Sequence, residues 1–339
     1  MTRSRSRLAA LAAVVAATLA LAGCAGSGAA SSTTASSDGF PVTISDALGG
    51  ATIASAPERV VTWGWGATEA ALALRTVPVA VASMDYGGGD NKLTPWVEKA
   101  LTDLGAATPT VLDSSAQTVP IEAVLAANPD LFLAPYSGIT QDERDALVKA
   151  GVTVVAYPDH AWSTPWRDVI SIVGKALGKA VAATTLLANL DKLVADTAAA
   201  HPEFQGTSIA YVDDDVNTFY MYVDADPRVE ILRDLGFTST PSLDALDPKD
   251  GNFYTTVSYE QLDKVDAQVI LIQGEQQADL DTFLQSSRGQ LIPAVAKGAV
   301  AEVVGEENVA AVSPTALSLP WLLPTLAEKL SAAVKTAKG

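Results

Sequence analysis

Apolar residues along this chain recur at two spacings, and the switches between them outline a fold. From Pro57 onward, short runs with strand character alternate with helical stretches. Val60–Trp63, Val77–Ala82, Asp130–Ala134 and Val152–Tyr157 read as strands, with helices at Thr68–Leu74, Pro120–Ala127 and Gln141–Ala150. Apolar strands separated by helices predict parallel sheets covered on their faces. Ahead of them, Val42–Ile44 and Ala51–Ile53 flank a Gly-Gly turn and read as a hairpin. The middle of the chain differs: from Pro165 to His201 there is little strand signal, and apolar residues fall at helical spacing. Gly174 and Gly178 suggest a break, giving two helices, the second over about Lys179–Ala200. Alternation resumes at Thr207–Val212, and a helix after Pro320 closes the chain. The simplest organisation is an α/β fold of two Rossmann-like lobes, residues 40–178 and 202–339, bridged by one long helix over residues 179–201.

An internal repeat supports two related lobes. "VPIEAVLAANPDLFLAPYSG" from Val119 and "VSYEQLDKVDAQVILIQGE" from Val257 align without gaps, Glu122 on Glu260 and Leu133 on Leu271. Each reads as a short helix feeding a buried strand. Both place a glutamate at the helix start, where the helix dipole favours an anion.

The N-terminus carries a different signal. "MTRSRSR" supplies three arginines and "LAALAAVVAATLALAG" is apolar and uncharged, the two parts of an export signal. The apolar run, about 16 residues, falls short of the ~20 a spanning helix needs. Leu21-Ala22-Gly23-Cys24 resembles the bacterial lipobox, and Cys24 is the only cysteine in the chain. The resemblance implies cleavage after residue 23 and lipidation of Cys24, with residues 24–39 as a flexible tether. Each buried CH₂ of such an anchor contributes ~0.8 kcal/mol, so two or more acyl chains hold stably. The mature protein is then expected on the outer face of the cell membrane, lipid-anchored.

Charge and side-chain counts remove several function classes. The formal net charge is −17, and loss of Arg3, Arg5 and Arg7 with the signal makes it more acidic. That argues against nucleic acid as a partner. One cysteine excludes an internal disulfide, and two histidines, His160 and His201, exclude a three-histidine metal site. There is no G-x-S-x-G, Walker A or H-E-x-x-H motif. "VVTWGWGATEAAL" begins like a dinucleotide fingerprint, but Glu69 stands where the third glycine would be. What remains is a βα loop with Trp65 at its tip. His160 has no signalled nucleophile near it and reads as a polar loop residue. "VDDDVN" and "DADP" lack calcium-loop spacing and read as solvated acidic turns.

Aromatic residues say more. Trp65, Tyr86, Tyr136 and Trp162 each fall just after a predicted strand of the first lobe, and Phe253 and Tyr254 precede Val257 in the second. At strand ends they suggest an aromatic-lined cleft for a bulky organic ligand. Arg288, in "FLQSSRGQ", is the basic residue most readily placed there, with a surface arginine at a helix end as the competing reading.

"APERVVTWGWGATEAALAL", "IEAVLAANPDLFLAPYSG", "VAYPDHAWSTPWRDVI", "VSYEQL" and "AVSPTALSLPWLL" resemble the iron–siderophore substrate-binding lipoproteins of bacterial ABC importers, from about Phe40 to the C-terminus. The resemblance implies a helical-backbone, class III periplasmic-binding-protein fold with little hinge closure and a ligand between the lobes. It implies a non-catalytic, monomeric receptor whose ligand is a ferric siderophore and whose partner is an importer permease dimer. Iron stays coordinated by the siderophore, so neither a cofactor nor a protein metal ligand is expected. By motif position Glu122 and Glu260 would dock onto permease arginines. One departure is Arg75-Thr76, where a glycine commonly ends the first helix. The acidic surface leans toward neutral or cationic hydroxamate chelates. Haem or a corrinoid is the alternative cargo, and an envelope enzyme using His160 is a third reading that fold alone does not exclude.

Overall fold

In the computed structural model the described residues are 39–215, 218–249 and 252–339, so the export signal, Cys24 and nearly all of the tether lie outside them. The hairpin forms as β1 (Val42–Ile44) and β2 (Ala51–Ile53), antiparallel. The first lobe follows as β3 (Val60–Gly64), β4 (Ala80–Ala82), β5 (Thr110–Leu112), β6 (Leu131–Tyr136) and β7 (Thr153–Val155). All five are parallel, in the order β5-β4-β3-β6-β7. Helix Pro95–Asp103 and β5 have no counterpart in the sequence reading.

The second lobe contains β8 (Ser208–Asp215), β9 (Thr218–Tyr222), β10 (Thr238–Ser239), β11 (Tyr254–Val257), β12 (Val269–Gly274) and β13 (Val300–Val304). Here the expectation of wholly parallel sheets is corrected. β8, β12 and β13 are parallel, but β9 runs antiparallel to both β8 and β11. Only two positions separate the end of β8 from the start of β9, too few for the crossover that parallel neighbours require.

Strand alternation divides the core. Leu131 and Leu133 of β6, Ile209 and Tyr211 of β8, and Val269 and Leu271 of β12 face one cluster shared by both lobes. Phe132 and Ala134 face a cluster confined to the first lobe, and Ala210, Val212, Ile270 and Ile272 one confined to the second. The residues from Asp38 to Gly339 form one compact unit.

The bridging helix spans Ala180–Ala200 and the closing helix Ser318–Lys338. Gly178, at φ 66°, makes the break before the bridging helix. Gly174 does not: it is buried inside helix Trp166–Ala176, where a Cβ would lie 2.2 Å from that of Ala183. Its role is to let the bridging helix approach. Where a glycine was expected after the first helix (Ala67–Ala73), Arg75 takes the left-handed conformation at φ 58°. The amides of Arg75 and Thr76 close onto Leu72 and Ala71 at 2.8 Å each. Lys179 Nζ also donates to the Leu74 carbonyl (2.8 Å) and Thr76 Oγ1 (2.7 Å), tying that helix end to the start of the bridging helix.

Candidate ligand cleft

In each sheet the strand order reverses beside the first strand of its lobe, between β3 and β6 and between β8 and β12. Open α/β sheets place ligands at the carboxyl ends of the strands flanking such a point. The two halves of the internal repeat end on β6 and β12, the strands beyond these reversals. The helix ahead of β6 is α-helical, Ile121–Ala126, whereas its counterpart Tyr259–Lys264 is a 3-10 turn.

In the first lobe the β3 loop is pressed against the end of β6. Trp65 N donates to the Tyr136 carbonyl at 3.0 Å, and a Cβ on Gly64 would lie 2.1 Å from that same oxygen. Only glycine fits, with φ 80°. Glu69 is buried just beyond this loop, accepts from Trp96 Nε1 at 3.2 Å, and has its carboxyl pushed up by burial. Trp162 sits edge-on to Tyr136, centroids 6.0 Å apart, and is 40 % exposed. Tyr86, also exposed, has its phenol pushed up to about 12 by burial and by the carboxylates of Glu275, Asp213 and Glu306 in the second lobe.

The second lobe supplies a wall built around Arg228. Tyr211 and Tyr222 stack at 4.6 Å, and the Arg228 guanidinium lies over Tyr222 at 3.9 Å and within 6.0 Å of Phe253. Asp226, 1 % exposed, grips it twice, accepting from Nε at 2.8 Å and Nη2 at 2.6 Å. Asp226 also caps helix Pro227–Asp234 by accepting from the Arg228 amide at 2.8 Å. Burial works against the charge on Arg228, but the Asp226 bonds outweigh it and hold its pKa well above the ordinary value. Gln273 accepts from the Tyr211 hydroxyl and donates to Asp213 at 2.7 Å. Desolvation pushes the Asp213 carboxyl up. Tyr254 pairs with Tyr222 in register and meets Tyr220 edge-on at 5.3 Å, and Phe253 meets Tyr254 at 5.1 Å.

The two walls face each other. The Tyr136 phenol is pushed up by burial and by Asp226, with Arg228 opposing. The structure sets Trp65 and Trp162 beside Tyr136, puts Tyr86 within electrostatic reach of Asp213 and Tyr222 of the second lobe, and sets Phe253 and Tyr254 beside Arg228 and Tyr222. Arg288 is not among them: exposed, it lies over Tyr259 at 4.4 Å. The Tyr259 hydroxyl donates to Asp214 at 2.6 Å. By strand alternation Asp214 points to the opposite face of β8 from Tyr211 and Asp213. The basic residue at the aromatic cluster is Arg228 instead. The reading of "VDDDVN" and "DADP" as solvated turns is corrected too, since Asp226 is buried and Asp213 is bonded within the cluster.

Sequence reasoning missed Tyr211, Tyr222, Arg228 and Gln273. A signal was present: in β9 Phe219 and Met221 alternate with Tyr220 and Tyr222, marking an aromatic second face. Glu122 and Glu260 are exposed in the first turns of their short helices, one in each lobe. His160 is exposed in the loop before Trp162, its carbonyl accepting from Ser163 Oγ at 2.9 Å. Among the described residues no three His, Cys, Asp or Glu side chains converge as a metal site.

Two sheets with helices on their faces, a bridging helix and a cleft at the strand carboxyl ends define a helical-backbone binding protein. The chain belongs to the periplasmic binding protein family, whose model matches residues 60–305. This is a family of solute-binding proteins that act outside the cytoplasm. Similar solved structures include PiaA of Streptococcus pneumoniae TIGR4 in complex with ferrichrome, 31% identical, with a TM-score of 0.77 over 87% of this chain and 99% of that one. Another structure of PiaA, described as an iron uptake ABC transporter substrate-binding protein, gives 30% identity and 0.74, over 87% of this chain and all of that one. A periplasmic solute-binding protein of Mycobacterium smegmatis gives 24% identity and 0.73, over 86% and 98%, which carries the fold alone. Among curated proteins no sequence matches.

Proposed function

We propose that this chain is a lipid-anchored, extracytoplasmic receptor that captures a ferric siderophore between its lobes and delivers it to an ABC importer. The observation that carries the reading is the cleft itself. Its walls are aromatic, and Arg228 is already neutralised by the buried Asp226. Such a surface suits a large chelate bound through its organic periphery, with the metal enclosed by the chelator. The similarity to PiaA, whose structure holds ferrichrome, supports the same class of cargo. Cys24 would carry the lipid, and Glu122 and Glu260 would meet the permease dimer, one from each lobe. The receptor acts as a monomer and needs no cofactor.

The charge balance narrows the cargo. Asp213, Glu275 and Glu306 are close enough to raise the pKa of Tyr86, and the Asp226–Arg228 pair is neutral overall. A strongly anionic catecholate would meet net repulsion, whereas a neutral or cationic hydroxamate would not. The test is tryptophan fluorescence of the chain from Asp38 onward, titrated with a ferric hydroxamate, a ferric catecholate, haem and a corrinoid, with iron-free chelators as controls. Saturable sub-micromolar quenching by the hydroxamate is expected. Saturation by haem or the corrinoid alone would replace the cargo, and preference for the catecholate would overturn the charge argument.

A further inference from the structure

Helix Trp166–Ala176 begins four residues after Trp162 in the first lobe, and helix Pro227–Asp234 carries Arg228 in its first turn in the second. One side chain joins them. Arg167 donates from Nε to Asp191 of the bridging helix at 2.9 Å, from Nη1 to Glu230 at 2.6 Å and from Nη2 to Asp234 at 2.8 Å. Each guanidinium nitrogen engages a different carboxylate, and the guanidinium carbon lies 4.3 Å above the Trp166 ring. First lobe, bridging helix and second lobe therefore meet at one cation.

The arrangement has two physical consequences. A planar guanidinium donates along three fixed directions, which a lysine ammonium on a flexible stem does not reproduce. Three carboxylates around one cation also repel each other. Burial raises the pKa of Glu230, Arg167 lowers it, and Asp234 and Asp168 raise it again. Without Arg167 the same carboxylates would widen the spacing of these helices within the small range that the core shared by both lobes allows.

We propose that Arg167 is a positioning residue that sets the distance between the Trp162–Tyr136 wall and the Arg228–Tyr222 wall. The proposal rests on the reading of this cleft as the ligand site. Its geometric half is tested without any ligand. The chain from Asp38 onward contains no cysteine, so Ala116→Cys and Ala278→Cys, both exposed and in different lobes, accept spin labels specifically. Dipolar spectroscopy compares that chain with its Arg167→Met, Arg167→Lys and Arg167→Met/Glu230→Gln/Asp234→Asn forms. The methionine and lysine variants are expected to give a longer, broader distance distribution, and removal of the two carboxylates should restore the narrow one. A merely structural loss would not be rescued in that way.

The second half is the dissociation rate of the ferric hydroxamate, expected to rise about tenfold in Arg167→Met, equivalent to ~1.4 kcal/mol. An unchanged distance distribution in Arg167→Met overturns the proposal whether or not a ligand is found. A changed distribution with an unchanged dissociation rate overturns its link to the cleft. If the parent chain binds none of the chelates, the functional reading fails while the distance measurement still decides the clamp.

Discussion

Asp226→Asn isolates the electrostatics of the cleft. Asparagine matches aspartate in shape and caps helices about equally well, so the bond from the Arg228 amide survives. What changes is the charge facing the guanidinium, which keeps its place over Tyr222 but loses an anion bonded at 2.6 and 2.8 Å. Breaking a buried ion pair by removing one partner costs about 3–5 kcal/mol. The Arg228 side chain retains 17% exposure, which lets water relieve part of the loss and favours the low end, about 3 kcal/mol. With an unfolding entropy of about 2.1 cal/mol/K per residue, that loss lowers Tm by about 5 °C. Scanning calorimetry with urea unfolding reads both quantities. Asp226→Asn/Arg228→Met should recover most of the loss, because no charge is then left without its partner. A single variant within 1 kcal/mol of the parent would refute the view that Asp226 compensates the buried charge of Arg228.

Three further outcomes follow from other parts of the molecule. Gly174→Ala forces a methyl group to within 2.2 Å of the Ala183 Cβ, so it should cost about 1–3 kcal/mol in urea unfolding by overpacking two helices. Arg75→Gly removes a left-handed non-glycine residue and a charge that, after burial, lowers the pKa of Lys179. It should raise stability by up to about 1 kcal/mol, the left-handed penalty less the flexibility glycine adds to the unfolded chain. Glu203 is held down to about 2, from 4.5, chiefly by the Ser331 hydroxyl donating at 2.6 Å, with burial opposing and His201 assisting. A depressed carboxylate pKa gives stability that is present above the unfolded value and lost on acidification. The decline in Tm from about pH 4.5 to about pH 2 should therefore be shallower in Glu203→Gln, and equal slopes would count against this assignment.

The sequence disclosed those parts of the fold whose side-chain pattern and backbone state coincide. β3, β6 and the hairpin are apolar runs between turn residues, and the bridging helix is a long stretch at helical spacing. β5 has three residues of which only Leu112 is buried, with neither the flanking Gly-Gly turn of the hairpin nor the longer apolar runs around β4 and β7, and so stayed hidden. The antiparallel β9 was hidden for another reason, since its partner is set by a short connection rather than by its own composition. The same holds in the cleft. Trp65, Tyr136 and Trp162 follow strands in sequence and were visible as a set. Arg228 belongs with them only because β9 folds back along β8 and carries Tyr222 beneath it. In a stretch as acidic as "VDDDVN" to "DADP", a buried Asp226 looks like its solvated neighbours until its arginine partner is seen.

The placement of the cleft has a consequence for how such a molecule takes up a ligand. Tyr211, Asp213 and Gln273 continue the strand faces whose earlier residues, Ile209, Val269 and Leu271, belong to the core shared by both lobes. That core also contains Leu190 and Val194 of the bridging helix and Leu319, Leu323 and Leu330 of the closing helix. Swinging the lobes apart would expose side chains from all of these elements at once. Even a few hundred Å² of apolar surface costs several kcal/mol at about 25 cal/mol per Å². Wide hinge motion is thus opposed by this packing, and in the proposed receptor ligand entry would fall to exposed side chains beside the cleft. Tyr86, Trp162 and Phe253 are the large ones, and all three are exposed. Rotamer changes in exposed side chains take picoseconds to nanoseconds, so such adjustment does not limit capture.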